Sequence, residues 1–289
     1  MRRDSPAAPS HVLQVYPLGD RLPKGIPVEL NPTRGEPIKH ESITLIWREA
    51  LADGRQVVVK LYRRGLIVWC RSLASSSRVQ CEFNGLSLLE KFGIPCSVPL
   101  FWCNGHFGLY GWGEILVTEW VAQSQSLRDL LVTRSEVSGF LDLSPLFADM
   151  ARMHRVGLHH GMLRTRNILV KNYPERPVFV FIDMPRFHHF RRDIRGTRMA
   201  RYDLMSLCQG LIPFFPEDQV LLWLSAYGIP ESEKIDLLVR LKRFRSTKFL
   251  RRVGGAEFNV RNAMAKFFTF YPRNAPENQQ QKESRTSYQ

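Results

Sequence analysis

The sequence predicts an α+β fold of two lobes, a small strand-rich one followed by a larger helical one. Three observations predict it. Runs of β-branched and aromatic residues crowd residues 42–121, with one helical stretch among them. Helical spacing of apolar residues then takes over and continues to about residue 270. Finally, 289 residues at 44% hydrophobic, with six Trp and eighteen Phe, can bury one large core or two small ones, which excludes disorder for most of the chain.

Each element has its own signal. Residues 1–35 are rich in Pro and Gly and read as an irregular extension. Ile43-Thr44-Leu45-Ile46-Trp47 and Gln56-Val57-Val58-Val59-Lys60-Leu61-Tyr62 read as strands, separated by a turn at Ala52-Asp53-Gly54. From Arg78 to Lys91, Val79, Phe83, Leu86 and Leu89 fall on one side of a helix, which Phe92-Gly93-Ile94-Pro95 stops. Strands follow around residues 99–102 and at Glu114-Ile115-Leu116-Val117-Thr118-Glu119-Trp120-Val121. Helices are expected at residues 127–131 and 144–156, the second N-capped by Ser144 with Pro145 behind it. Ile168-Leu169-Val170 and Val178-Phe179-Val180-Phe181-Ile182 are short strands, and helical patterns fill residues 202–270. The Gln-rich end, residues 274–289, reads as a disordered tail. The expected division is therefore 1–35, a strand-rich lobe over 36–121, a helical lobe over 122–273, and the tail.

Charge gives the first hint of chemistry. A net charge of +14 calls for an anionic partner: nucleic acid, an anionic membrane face, or a phosphorylated or carboxylated substrate. The five cysteines are scattered, with no C-x-x-C pair, so neither a zinc site nor a disulfide framework is signalled. No run approaches the ~20 apolar residues of a membrane-spanning helix. The basic start Met1-Arg2-Arg3-Asp4-Ser5-Pro6 has no apolar stretch behind it, so a cytoplasmic location is expected.

Four polar residues stand at telling positions. Lys60 lies inside an apolar strand, Glu82 on the helix after it, Asn167 at the end of a loop beginning His160-Gly161-Met162-Leu163, and Asp183 at the end of an apolar strand. Singly, each has a plain reading: an outward strand residue, a solvated helix residue, a turn residue, a strand terminator. Together, in this order, they match the layout of protein kinases. A lysine held by a glutamate offers a fixed positive charge to phosphates, and Asn and Asp offer the hard oxygens that Mg²⁺ prefers. Phosphoryl transfer asks mainly for positioning and charge neutralisation.

On these residues the chain resembles the lipopolysaccharide kinases of the Kdo/WaaP family, a bacterial branch of the kinase-like fold, from about residue 43 to 209. The carriers are Val57-Val58-Val59-Lys60-Leu61-Tyr62-Arg63-Arg64, Glu82 with Leu89-Glu90-Lys91-Phe92-Gly93-Ile94-Pro95, His154 to Gly161 leading into Arg166-Asn167-Ile168-Leu169-Val170, Phe181-Ile182-Asp183, and Arg201-Tyr202-Asp203-Leu204. The resemblance implies a two-lobe protein-kinase-like fold using ATP and Mg²⁺. It implies that Lys60 and Glu82 pair, that Asn167 and Asp183 hold Mg²⁺, and that Glu119 and Val121 belong to an adenine-binding hinge. Asp203 would stabilise the catalytic loop. The family phosphorylates sugars of the lipopolysaccharide inner core, Kdo or heptose, on the cytoplasmic side.

The sequence also departs from the family. Its loop usually reads H-x-D-L-x-x-x-N, the Asp accepting the proton of the acceptor hydroxyl, and here that position is Met162. A thioether is no general base. A glycine-rich phosphate loop is also missing, since residues 39–56 contain only Gly54. His159 and His160 flank the loop and have the pKa of a substitute base. A metal site of His154, His159, His188 and His189 matches no standard zinc spacing.

Two basic stretches remain. Residues 184–202 hold six arginines against one acid, and Arg186, Arg191, Arg192 and Arg195 are candidates to bind the carboxylates and phosphates of an anionic glycolipid acceptor. Residues 234–252 hold eight Lys or Arg and one acid, with Leu237, Leu238, Leu241 and Phe244 at helical spacing. That stretch reads as a helix lying on the inner-membrane surface or as an ordinary lobe helix with a basic face. Two function classes compete most closely: a lipopolysaccharide kinase slowed by Met162, and a pseudokinase that binds nucleotide or a partner without transfer. Nucleic acid is not the expected partner, because no zinc-finger, RRM or helix-turn-helix signature is present.

Overall fold

The computed structural model describes residues 16–17, 35–40, 43–63, 77–107, 111–133 and 141–246. The backbone divides into two units, residues 1–241 and 242–289, and every element below lies in the first except the end of the last helix. The tail, most of the N-terminal extension and the helical pattern beyond residue 246 lie outside the described residues.

A six-stranded antiparallel sheet organises the first part of the chain. Its strands are β1 (Tyr16–Pro17), β2 (Glu36–His40), β3 (Thr44–Ala50), β4 (Gln56–Arg63), β5 (Pro99–His106) and β6 (Trp112–Glu119), in the order β1-β5-β6-β4-β3-β2. The β3–β4 turn closes where expected, with the Leu51 N–H donating to the Arg55 carbonyl at 2.9 Å. Strand β2 has no signal in the sequence, because all five of its residues are exposed and no apolar alternation marks it. Part of the expected irregular extension is ordered as well, since Tyr16 pairs with Trp102 of β5.

The alternation of β4 decides which side chains face where. Val57, Val59 and Leu61 join Leu45, Trp47, Phe101, Ile115 and Val117 in one buried cluster. The intervening Tyr62 packs on the other face with Leu116 and with Val79 and Phe83 of the helix α1 (Arg78–Lys91). Lys60 shares that period-two face, and so meets α1 rather than water. Ser77 caps α1 by accepting from the Gln80 N–H at 3.0 Å. Gly93, at φ 65°, ends it in the left-handed conformation that glycine tolerates.

The helical part comprises α2 (Leu127–Thr133), α3 (Ser144–Arg155), α4 (Arg198–Leu211), α5 (Glu217–Tyr227) and α6 (Glu231–Ser246). Ser144 does not cap α3. It is the first helical residue, and its N–H donates to the Asp142 carboxylate at 2.8 Å, a stronger acceptor placed two residues earlier. Helix α4 begins one turn before the expected residue 202, because Thr197 caps it and its first turn is largely polar. Trp223 of α5, fully buried, packs between Phe147 and Phe215 and ties α5 to α3.

Small strands connect the two parts. β7 (Ser124–Ser126), β9 (Ile168–Lys171) and β10 (Val178–Phe181) form one sheet in the order β10-β9-β7. A second sheet pairs β8 (Leu158–His159) with β11 (His188–His189). The segment leaving α1 is stitched to β10: the Phe181 N–H donates to Pro95 O at 2.9 Å, and the Ser97 N–H to Phe181 O at 3.1 Å. This stitch fixes the end of β10, and with it Asp183, against the N-terminal sheet.

In the basic stretch of α6, Lys234 is buried and donates to Ser225 and Glu231, while Ile235 and Val239 are exposed and Leu237 and Leu238 are buried. Leu241 and Phe244 lie where no side chain is described. No helix among the described residues is long and apolar enough to cross a membrane.

Candidate active site

Lys60 and Glu82 form the core of the site. The Lys60 ammonium donates to Glu82 Oε1 at 2.5 Å, with Glu82 fully buried and Lys60 only 9% exposed. Burial disfavours the lysine's charge, but the Glu82 carboxylate outweighs that and holds the ammonium above the usual lysine range. Burial pushes Glu82 itself upward, against the pull of Lys60. The Tyr62 phenol reaches the second oxygen of Glu82 at 3.4 Å, and Arg78 lies over the Tyr62 ring at 4.7 Å. Glu82 is thus gripped from two sides.

Asp183 completes a triad, its Oδ1 standing 3.8 Å from Lys60 Nζ. Its backbone is left-handed, at φ 63°, a strained conformation for a non-glycine residue that the surroundings must enforce. Burial opposes its ionisation, yet Lys60 above all, with Arg78, His160 and Arg166, holds the carboxyl below its ordinary value. Met184, fully buried, follows it and packs with Phe187 against Gly85 of α1, where an added Cβ would stand 3.0–3.2 Å from them. The residues after Asp183 therefore lock onto the helix that carries Glu82.

The loop from His160 to Asn167 is anchored from below by Asp203 of α4. This buried carboxylate accepts the His160 N–H at 2.7 Å and the Gly161 N–H at 3.0 Å, with His154 Nε2 at 3.3 Å. The Asn167 backbone carbonyl accepts from the Ile182 N–H at 3.1 Å, joining the loop's end to the residue before Asp183. Its side-chain Nδ2 donates to the Met162 carbonyl at 2.8 Å, which turns Oδ1 the other way. Asp183 and Asn167 thus present hard oxygens on adjacent segments beside a lysine, a donor set that suits a small divalent cation carrying phosphates.

The remaining expected residues fall in different surroundings. Met162 is half-buried at the middle of the loop, and no carboxylate takes its place. His160 is fully buried against Phe181, at 6.2 Å between ring centroids, and burial lowers its pKa. A general base must touch its substrate, and a ring with no exposed surface does not. Glu119 ends β6, where its N–H donates to Val98 O at 2.8 Å and its carbonyl accepts from Ser97 Oγ at 3.1 Å. The Val121 carbonyl accepts from Ser124 Oγ at 2.6 Å.

The arginine run is divided. Arg186 lies with its carbonyl against Gly161, whereas Arg192 packs its backbone on Gly157 at the far end of the loop. Arg191 is exposed, with a left-handed backbone at φ 51°, and Arg195 is tied to Asp193 at 2.6 Å. The histidines serve as packing: His154 bonds Tyr227 at 2.7 Å, and His159 stacks on His188. No group of three His, Cys, Asp or Glu side chains poised for a metal occurs among the described residues. The sequence reading missed Tyr62 and Arg78, which brace Glu82, and Arg164 and Arg166, whose signal was the alternating R-x-R before Asn167.

Comparison with known proteins identifies the family and the fold. The family model described as lipopolysaccharide kinase (Kdo/WaaP) family matches residues 47–227, which contain every element of the triad and the loop. A solved structure of WaaP in complex with acyl carrier protein is similar over 74% of this chain and 88% of that one, at 18% identity and a TM-score of 0.56. The Rio2 kinase of Chaetomium thermophilum, solved as an ADP/Mg²⁺-phosphoaspartate complex, is similar over 76% of this chain and 71% of that one, at 18% identity and a TM-score of 0.43. No curated protein sequence matches the chain. With a protein-kinase-like fold and a family match spanning both the sheet and the helices, the chain belongs to the lipopolysaccharide kinase (Kdo/WaaP) family.

Proposed function

We propose that the protein transfers the γ-phosphate of ATP to a hydroxyl of an inner-core lipopolysaccharide sugar, Kdo or heptose. The observation that carries this reading is the triad, with Lys60 buried on Glu82 and 3.8 Å from Asp183. Lys60 would meet the α- and β-phosphates, and Asp183 and Asn167 would hold Mg²⁺. Glu119 and Val121 would border the adenine, and residues 36–121 would serve as the nucleotide lobe. Bound Mg²⁺ supplies charge neutralisation on the phosphates. The acceptor side lies on residues 122–273, and Arg186, Arg191, Arg192 and Arg195 are the arginines expected there.

In the transfer, the acceptor oxygen forms its bond to phosphorus as the bond to the ADP oxygen breaks, and the hydroxyl proton leaves. With Met162 in the loop, that proton passes to solvent rather than to a carboxylate. The absent base costs about 10²–10⁴ in rate, so slow turnover is expected. An acceptor made on the cytoplasmic side would call for a cytoplasmic protein, free or peripheral at the inner-membrane face.

A second reading, a pseudokinase that binds nucleotide without transfer, is favoured by the same Met162. The two separate in one experiment: labelled γ-phosphate from Mg·ATP is offered to lipopolysaccharide from cells lacking the gene. Label in the glycolipid, lost with Asp183→Ala, supports the kinase. Mg·ATP binding without label, in wild type and in Met162→Asp, supports the pseudokinase.

A further inference from the structure

The expected acceptor arginines lie in a run that the fold divides, and a different set converges on the loop. Arg164 and Arg166 flank Thr165, which is buried against Gly210 of α4, so the two neighbours point outward and are exposed. Arg186 joins them because its backbone is pressed on the same loop: its carbonyl oxygen stands 2.3 Å from where a Cβ on Gly161 would be. Gly161, at φ 77°, is the residue that permits this approach.

Arg164 lies in the electrostatic field of both Arg166 and Arg186. Among the described residues none of them has a carboxylate within ion-pair distance, in contrast to Arg195, which Asp193 holds at 2.6 Å. Partial burial, then the like charges of Arg166 and Arg186, hold Arg164 below the usual arginine range. The carboxylate whose field reaches Arg164 and Arg166 is Asp183, already shared with Lys60. The Tyr202 phenol lies in the field of Arg164 and Arg186.

We propose that Arg164, Arg166 and Arg186 receive an oxyanion of the acceptor, a phosphate or carboxylate close to the hydroxyl that is phosphorylated. This rests on the kinase reading above and assigns its acceptor side to the loop rather than to Arg191, Arg192 and Arg195. Guanidinium forks bind such oxyanions bidentately, and their convergence beside Asp183 and Asn167 orients the acceptor next to the transferred group. Positioning of this kind supplies rate without a proton acceptor, which suits a loop that carries Met162.

The test measures binding of detergent-dispersed lipopolysaccharide, and separately of Mg·ADP, to wild type and to Arg164→Gln, Arg166→Gln and Arg186→Gln. Arg176→Gln, an exposed arginine in the β9–β10 connection, controls for net charge. Each loop variant should weaken lipopolysaccharide binding by about tenfold, with Mg·ADP binding and Arg176→Gln at wild-type levels. Lipopolysaccharide stripped of phosphate, or with its carboxyls reduced, tells which oxyanion is read: removing the right one abolishes the difference between wild type and variants. Weakened Mg·ADP binding with intact lipopolysaccharide binding would assign the arginines to the nucleotide and overturn the proposal. Unchanged binding of both, or an equal loss in Arg176→Gln, would overturn it too while leaving the kinase reading in place. A wild type that binds Mg·ADP but no form of lipopolysaccharide would overturn both.

Discussion

The two faces of the site handle charge in opposite ways. Around Lys60 the charges are answered: buried Glu82 by Lys60 and Tyr62, and half-buried Asp183 by Lys60. On the loop face, Arg164, Arg166 and Arg186 are exposed and lack a paired carboxylate among the described residues, and a thioether occupies the centre. Buried charges left unpaired would cost several kcal/mol each, so the first face must be complete before any ligand arrives. Exposed charges carry no such demand, and the second face can wait for a partner to neutralise it. If the proposals hold, nucleotide chemistry belongs to the first face and acceptor selectivity to the second.

Changing either face should break the contrast in its own way. The largest effect is expected from Met162→Asp, which restores a proton acceptor and should raise the rate of γ-phosphate transfer by about 10²–10⁴; single-turnover assays with labelled ATP measure it. Removing Glu82 leaves the buried Lys60 with only the more distant Asp183, at 3.8 Å, so Glu82→Ala should cost about 3 kcal/mol in urea unfolding. Asp203→Asn turns an amide donor toward one of two loop N–H groups, at an expected cost of about 1–3 kcal/mol. Because Asp203 holds the loop and not the triad, its loss should lower transfer more than it lowers nucleotide binding.

The smallest effect concerns pH. His159 and His160 are held below the ordinary value of 6.5, chiefly by burial, against the pull of Asp203 and, for His160, of Asp183. The unfolded chain takes up these protons first as pH falls, so stability is full above 6.5 and declines below it. Asp183 and Asp203, whose carboxyls are held low, contribute above their ordinary 3.8 and weaken only in stronger acid. Thermal melts between pH 7.5 and 5 should show Tm falling below 6.5, with a shallower slope in His160→Phe. An identical slope in that variant would remove His160 from the account.

Much of this architecture was legible in the residues. Period-two alternation in Val57 to Tyr62 put Lys60 on one sheet face, and the spacing of Val79, Phe83, Leu86 and Leu89 fixed the face of α1 that holds Glu82. Less visible was what depends on contacts far apart in sequence. The exposed β2 has no apolar pattern, and the bracing of Glu82 by Tyr62 and Arg78 requires the strand and helix to be in place. The same holds for the arginines. As a run, residues 186–195 looked like one cluster, but the close approach at Gly161 and at Gly157 divides it and gathers Arg186 with Arg164 and Arg166. His160 looked like a substitute base by position, and its complete burial makes it packing.

The most direct measurement is transfer of labelled γ-phosphate from Mg·ATP to lipopolysaccharide extracted from cells lacking the gene, run with wild type, Met162→Asp and Asp183→Ala. The account predicts slow labelling by wild type, much faster labelling by Met162→Asp, and none by Asp183→Ala. Absence of label with both wild type and Met162→Asp, in proteins that bind Mg·ATP, would contradict it.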